Sequence, residues 1–255
     1  MLTNIWDTLL YEPFVNLLAF FINIMPGGDV GLAVILLTIL VKILLYPLSK
    51  KSIESQAKMN LLTPELNKIK TSGANKEEQA RLTFELYKKH NTNPFSGCLL
   101  ILIQIPIIFA LYYAFYKGID FANSDVLYSF VKVPEQMNMH FLGLLDLTQK
   151  SLILALLAGV SQYFQAALMP KPVSPGGEPG SFQESFAKSM QIQMKYVFPF
   201  LIAFIAYSVS GAIALYWVTS NVFAIGQQVY LNKKSKINTE KKDIKTTTVE
   251  AKEIK

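Results

Sequence analysis

The sequence predicts an all-α polytopic membrane protein: five transmembrane helices around a hydrophilic groove open to the cytoplasm, an N-terminal interfacial helix and a cytoplasmic helical hairpin. Three observations carry this. Of 255 residues, 51% are hydrophobic and only 16% charged, where an ordinary soluble domain carries roughly 25% charged residues. The apolar residues gather in blocks near the length of about 20 residues that a helix needs to cross hydrocarbon. The 24 Lys and Arg lie almost wholly between those blocks.

Residues 1–28 form the first region. Its apolar stretch, 4–25, holds Asp7, Glu12, Pro13 and Asn16, which predicts an amphipathic helix in the interface with Trp6 and Tyr11 at headgroup level; a sixth span is the alternative. The first basic residue is Lys42, so the basic n-region of a secretory signal is missing and the N-terminus is expected to be retained.

Residues 29–231 form the core. The spans are predicted at 29–48, 97–116, 151–169, 195–210 and 211–231, the last two as a hairpin turning near Ser208 to Gly211. All are helical, because lipid offers no partners to the open edge of a sheet. Between them lie a cytoplasmic hairpin, 49–96, an extracytoplasmic loop, 117–150, and a cytoplasmic loop, 170–194. In the hairpin, Thr63 before Pro64 predicts a helix restart. Asn75 with Glu78 three residues on predicts a capping box, and Ala80, Phe84 and Tyr87 a thin apolar stripe that docks weakly. The Pro/Gly/Ser-rich stretch 170–181 reads as a flexible connector. The tail, 232–255, has eight Lys and four acidic residues and is expected to be disordered.

Charge sets the direction. The segments 49–96, 170–195 and 232–255 hold 20 Lys and Arg, whereas 1–28 and 117–150 hold three. The richer set belongs in the cytoplasm, so the N-terminus is expected outside and the C-terminus inside.

With direction assigned, polar side chains of four helices fall at one depth. Lys42 lies six residues from the predicted inner end of its span, roughly 9 Å deep, and Gln104 roughly 10 Å deep in the second. Ser161, Gln162 and Gln165 occupy the inner third of the third helix. The inner half of the fifth carries Ser220, Asn221 and Gln228, and Trp217, Asn221 and Gln228 share one of its faces. An intramembrane Lys is a functional candidate by default. Each amide on its own is more simply interhelical glue, and Lys42 on its own could snorkel to the interface. Their convergence predicts a wet, cationic pocket that opens to the cytoplasm and ends near the midplane. The outer halves stay aliphatic and aromatic, which argues against a transmembrane pore. Cys98 is the single cysteine, and His90 and His140 the two histidines, so neither a disulfide nor a metal centre is expected, and no cofactor.

TILVKILLYPLSKKS at residues 38–52, LYKKHNTNPFSGCLLILIQIPIIFALYYAF at 86–115 and SGAIALYWVTSNVFAIGQQ at 210–228 resemble the YidC/Oxa/Alb insertase family, in its shorter form without a large extracytoplasmic domain. The resemblance implies five core helices around a groove open to cytoplasm and lipid, with the hairpin receiving substrates. It further implies that Thr38, Lys42 and Gln104 line that groove and that Phe164 and Trp217 flank a path along which a substrate helix slides. The family usually carries Arg where Lys42 stands, and Lys keeps the charge but loses the planar fork.

The function expected is therefore that of a membrane protein insertase and chaperone, not an enzyme. No Walker-type P-loop is present, so burial of the substrate helix would drive the reaction. Nascent membrane proteins and the lipid bilayer are the expected partners, with the Sec translocon and, through the basic tail, the ribosome as candidates. A small-solute transporter or channel is the competing class. It would show an inverted repeat or a polar path through the outer leaflet, and neither is evident.

Overall fold

The computed structural model describes residues 6–93, 96–116, 121, 126–169, 189 and 192–253. They are mostly helical, as the sequence predicts. A π-helical turn, Asp7–Tyr11, leads into α1, Glu12–Ile24. Pro26, Gly27 and Gly28 then turn the chain into α2, Val30–Leu44, where the Asp29 carboxylate caps the backbone N–H of Leu32 at 3.0 Å. α1 lies along α2 and buries Phe14, Val15, Leu18 and Ile22, while Leu9, Leu10, Phe20 and Ile24 stay exposed.

The first predicted span is shorter than expected. α2 stops at Leu44, and the chain bends by 61° into α3, Tyr46–Leu61. Pro47 disfavours helical backbone at the residue before it, and an apolar run cannot register a change of direction. Lys42 therefore sits in the last turn of α2 rather than six residues inside it, where a cation also complements the helix dipole. Among the described residues no single helix is long and apolar enough to cross a membrane; the bent pair α2 and α3 passes that test together.

The predicted helical hairpin is built of α4, Thr63–Lys70, and α5, Lys76–Lys89. Leu62, in helical backbone, precedes α4 without a side-chain cap, so Thr63 is its first residue rather than its cap. Asn75 does cap α5, accepting from the Glu78 N–H at 2.8 Å. The Glu78 side chain turns away to Arg81, at 2.7 and 3.0 Å, so half of the expected capping box is made. Of the predicted stripe only Tyr87 is buried: Gln79, Thr83, Leu86 and Tyr87 are enclosed, the last two against Met59, Leu62 and Leu66, while Ala80 and Phe84 are exposed.

α6, Ser96–Tyr116, and α7, Leu152–Leu168, match the second and third predicted spans within a residue at each end. Ser151 caps α7 through the Leu154 N–H. Between α6 and α7 an antiparallel hairpin of β1, His140–Phe141, and β2, Leu145–Asp146, was not foreseen. A π-helical turn, Gln193–Val197, opens α8, Phe198–Ser208, and α9 begins at Gly211. Gly159 admits the close approach of α8, because a Cβ there would meet the Ala203 methyl at 2.9 Å. α9 is helical to Glu253, beyond the expected boundary at residue 231; Lys, Glu and Ala in that tail are good helix formers. The connector expected at 170–181 lies outside the described residues.

The core sits where α9 crosses α7 and α2. Leu37, Leu111, Ala158, Ala206, Ala214 and Tyr216 are fully enclosed there.

Candidate functional site

Three helices bring one polar cluster together. The Lys42 ammonium, on the last turn of α2, donates to the Gln104 side-chain carbonyl of α6 at 3.0 Å. The Gln104 amide in turn donates to the Tyr216 hydroxyl of α9, which is also hydrogen-bonded to Ser220 one turn on. Pro106 follows Gln104 by two residues, so this is also where the α6 backbone lacks a donor. Lys42 is partly buried, whereas Tyr216 and Ser220 are buried. Among the described residues no carboxylate comes within ion-pair distance of Lys42; the ion pairs present lie on α3, α4 and α5. Among those residues its charge is held by a neutral amide.

A second cluster lies on the opposite side of α9. Asn221 donates to the Ser161 hydroxyl at 3.1 Å and to the Ala158 carbonyl at 3.4 Å, and all three groups are buried. Gln162 and Gln165 bond each other along α7 at 3.0 Å. Further along α9, Gln227 reaches Ser49 at 2.6 Å and Gln228 reaches Asn232 at 3.0 Å.

The remaining candidates are dispersed. Thr38 is buried and gives its hydroxyl proton to the Val34 carbonyl at 2.6 Å. Trp217 belongs to the apolar core, and Phe164 projects outward from α7 with more than half its surface exposed, edge-on to Tyr163. Tyr216, which joins Gln104 to Ser220, is not among the residues that the sequence singles out. Its signal was available: it lies four residues before Ser220 and so shares its helical face, but an aromatic residue in an apolar run reads as packing.

The loop between α6 and α7 is hydrogen-bonded to α1, to the N-cap of α2 and to the first residues of α9. Asn16 of α1 donates to the Val126 carbonyl and accepts from the Tyr128 N–H, at 2.8 and 2.7 Å. Asp29 accepts from Leu142 at 2.9 Å, and Leu147 and Gln149 accept from the first two residues of α9.

Residues 21–240 match the family described as 60Kd inner membrane protein. The chain is 34% identical over 228 residues to the membrane protein insertase YidC of Fusobacterium nucleatum, covering 88% of this chain and 98% of that one. It is 32% identical over 242 residues to the YidC insertase of Clostridium tetani, again covering 98% of the relative. Against the YidC insertase of Magnetococcus marinus the identity is 32% over 232 residues, and this chain spans 36% of that longer protein. Among solved structures, a crystal structure of an active YidC insertase with its first transmembrane domain resolved is 23% identical, with a TM-score of 0.48 over 77% of this chain and 40% of the other. The chain belongs to the 60Kd inner membrane protein family, that of the YidC-type membrane protein insertases.

Proposed function

We propose that this chain inserts nascent membrane proteins, moving their hydrophobic segments and short polar flanks from the cytoplasm into the bilayer along a positively charged groove at Lys42. The observation that supports it is the Lys42 ammonium, without a counter-ion among the described residues and anchored by Gln104 at 3.0 Å beside an otherwise apolar core. Carrying a polar flank through hydrocarbon dominates the barrier to insertion, since each charged residue costs about 2.5 to 3.5 kcal/mol at the centre of the membrane. A cationic notch in the inner leaflet shortens the dry path and attracts acidic residues of that flank.

In this scheme Lys42 takes the charge, Gln104 holds the ammonium and offers hydrogen bonds to the flank's backbone, and the buried Tyr216 and Ser220 hold Gln104 in place. Thr38, one turn below Lys42, together with Gln162, Gln165 and Asn221, completes the polar wall, and Phe164 and Trp217 mark the apolar exit. The N-terminus lies outside and the basic C-terminal segment inside, with α1 in the outer interface. The hairpin of α4 and α5 receives the substrate. The Sec translocon and the ribosome are candidate partners on the cytoplasmic side.

The test is Lys42→Glu in cells depleted of their own insertase, with a single-span substrate bearing an acidic outer flank. The variant reaches the membrane at normal level and fails to translocate that flank, while a flank made basic crosses better than in wild type. Normal insertion of the acidic flank by the Glu variant would remove Lys42 from the mechanism.

A further inference from the structure

The hairpin of β1 and β2 ends in the sequence Phe141-Leu142-Gly143-Leu144-Leu145, five residues without a polar side chain at the turn of an outer loop. Leu142 and Leu144 are 60% and 83% exposed. The turn is closed by the Leu144 N–H donating to the Phe141 carbonyl at 3.0 Å, and both central residues are left-handed, Leu142 at φ +52° and Gly143 at +71°. Two consecutive left-handed residues call for Asn-Gly or Asp-Gly. Leucine is a poor choice there, because its Cβ crowds the following carbonyl. A strained backbone that presents an exposed apolar side chain points to function at the tip.

The position of the tip says what it meets. The Leu142 N–H donates to Asp29, the residue that caps α2, and the Phe141 ring lies against Gly31 in the first turn of α2, where a Cβ would sit 2.3 Å from it. The tip is thus held level with the outer end of α2 and does not extend beyond it as a stalk. Its polar residues, His140 and Asp146, pair at the base. We propose that this hairpin is a membrane finger, with Leu142 and Leu144 seated in the headgroup and acyl boundary of the outer leaflet, fixing the depth at which α2 starts. The proposal rests on the reading of α2 as a helix that enters the membrane at Val30.

The test uses the full chain with Cys98→Ser, reconstituted in nanodiscs of phosphatidylethanolamine and phosphatidylglycerol so that both faces are accessible. Single cysteines replace Leu144, Glu135 on the same loop, and the lipid-exposed candidate Phe204 of α8, each labelled with an environment-sensitive fluorophore. The label at 144 is expected to emit to the blue of that at 135, with several-fold weaker iodide quenching and with quenching by lipids spin-labelled near the headgroup. Equal iodide quenching at 144 and 135, with lipid quenching retained at 204, overturns the finger and leaves the membrane assignment standing. Loss of lipid quenching at both 144 and 204 overturns both. Protection at 144 from iodide and lipid alike means a protein partner covers the tip, which also overturns the proposal.

Discussion

Lys42 and Gln104, 62 residues apart in the chain, meet at 3.0 Å, and the other end of the same Gln104 side chain donates to the Tyr216 hydroxyl. One amide therefore serves two helices. Gln104→Leu removes both bonds, leaving the Lys42 cation without that partner and the Tyr216 hydroxyl with Ser220 alone, at a cost of about 1 to 3 kcal/mol for a buried group left unsatisfied. The expected result is a lower thermal midpoint in detergent and weaker insertion of acidic flanks. Lys42→Arg is expected to retain insertion, since the charge is kept and a forked donor is added.

Asn221→Leu separates holding from handling. Its amide is committed to Ser161 and Ala158, and such bonds between membrane helices contribute about 0.6 kcal/mol on average, up to about 1.7. The variant is expected to lose that much stability in a denaturant titration while keeping the preference of Lys42 for acidic flanks. A lost preference with unchanged stability would make Asn221 a substrate contact.

Gly27 and Gly28 give a matched pair. Both have positive φ, but a Cβ at Gly28 would stand 2.2 Å from the Gln136 carbonyl oxygen, and one at Gly27 meets nothing within 4 Å. Gly27→Ala carries the backbone cost of about 1 to 2 kcal/mol. Gly28→Ala adds the clash, about 1 to 3 kcal/mol more for an overpacked site, and should free the loop between α6 and α7. Limited proteolysis within residues 126–150 checks this, with cleavage expected to be faster in Gly28→Ala.

Asp146 should make the loop between α6 and α7 sensitive to acid. The Thr148 hydroxyl and N–H, and then the Gln149 amide, donate to its carboxylate and hold it below its ordinary value of 3.8. A depressed carboxylate contributes order that is complete above the unfolded value and is lost as pH falls through the folded one. The turn at residues 146–149 should therefore stay protected at pH 5 to 7, where the flanking carboxylates in the unfolded chain are ionised, and open only below the ordinary value. Asp146→Asn should abolish this acid step, read by amide exchange at Thr148.

The sequence exposed most of the helical plan because lipid-compatible blocks and caps are local signals: Ser151 marks the start of α7, and Gly211 the start of α9. The bend after Leu44 was hidden because apolar residues continue through it, with Pro47 as the single clue. The face of α5 was misassigned by one position, since Phe84 weighs more on a hydropathy scale than Thr83 or Gln79, which are the residues buried. In the site, Lys42 and Gln104 stood out as polar groups in apolar runs. Their contact, and its extension through Tyr216, depends on the crossing of α2, α6 and α9, which no single segment encodes. Asn16 reads in the sequence as one of the polar residues of an amphipathic helix, whereas it ties the loop between α6 and α7 to α1.

Leu142→Asn tests whether the strained turn is kept for its side chain. Asn tolerates the left-handed region through local hydrogen bonding, so the substitution should relieve about 1 kcal/mol of backbone strain. That corresponds to roughly a fivefold shift in the opening equilibrium, and the Leu144 amide, which donates to Phe141, should exchange about that much more slowly. The same variant places a polar amide where the finger would meet lipid, so spin-labelled headgroup lipids should quench a label at 144 less than in the Leu142 parent. Leu142→Ala keeps the strain and removes most of the apolar reach, so it should lose lipid contact with no slowing of exchange. A turn that tightens with Asn yet keeps full lipid contact would mean that Leu142 does not support the finger, leaving Leu144 to do so alone.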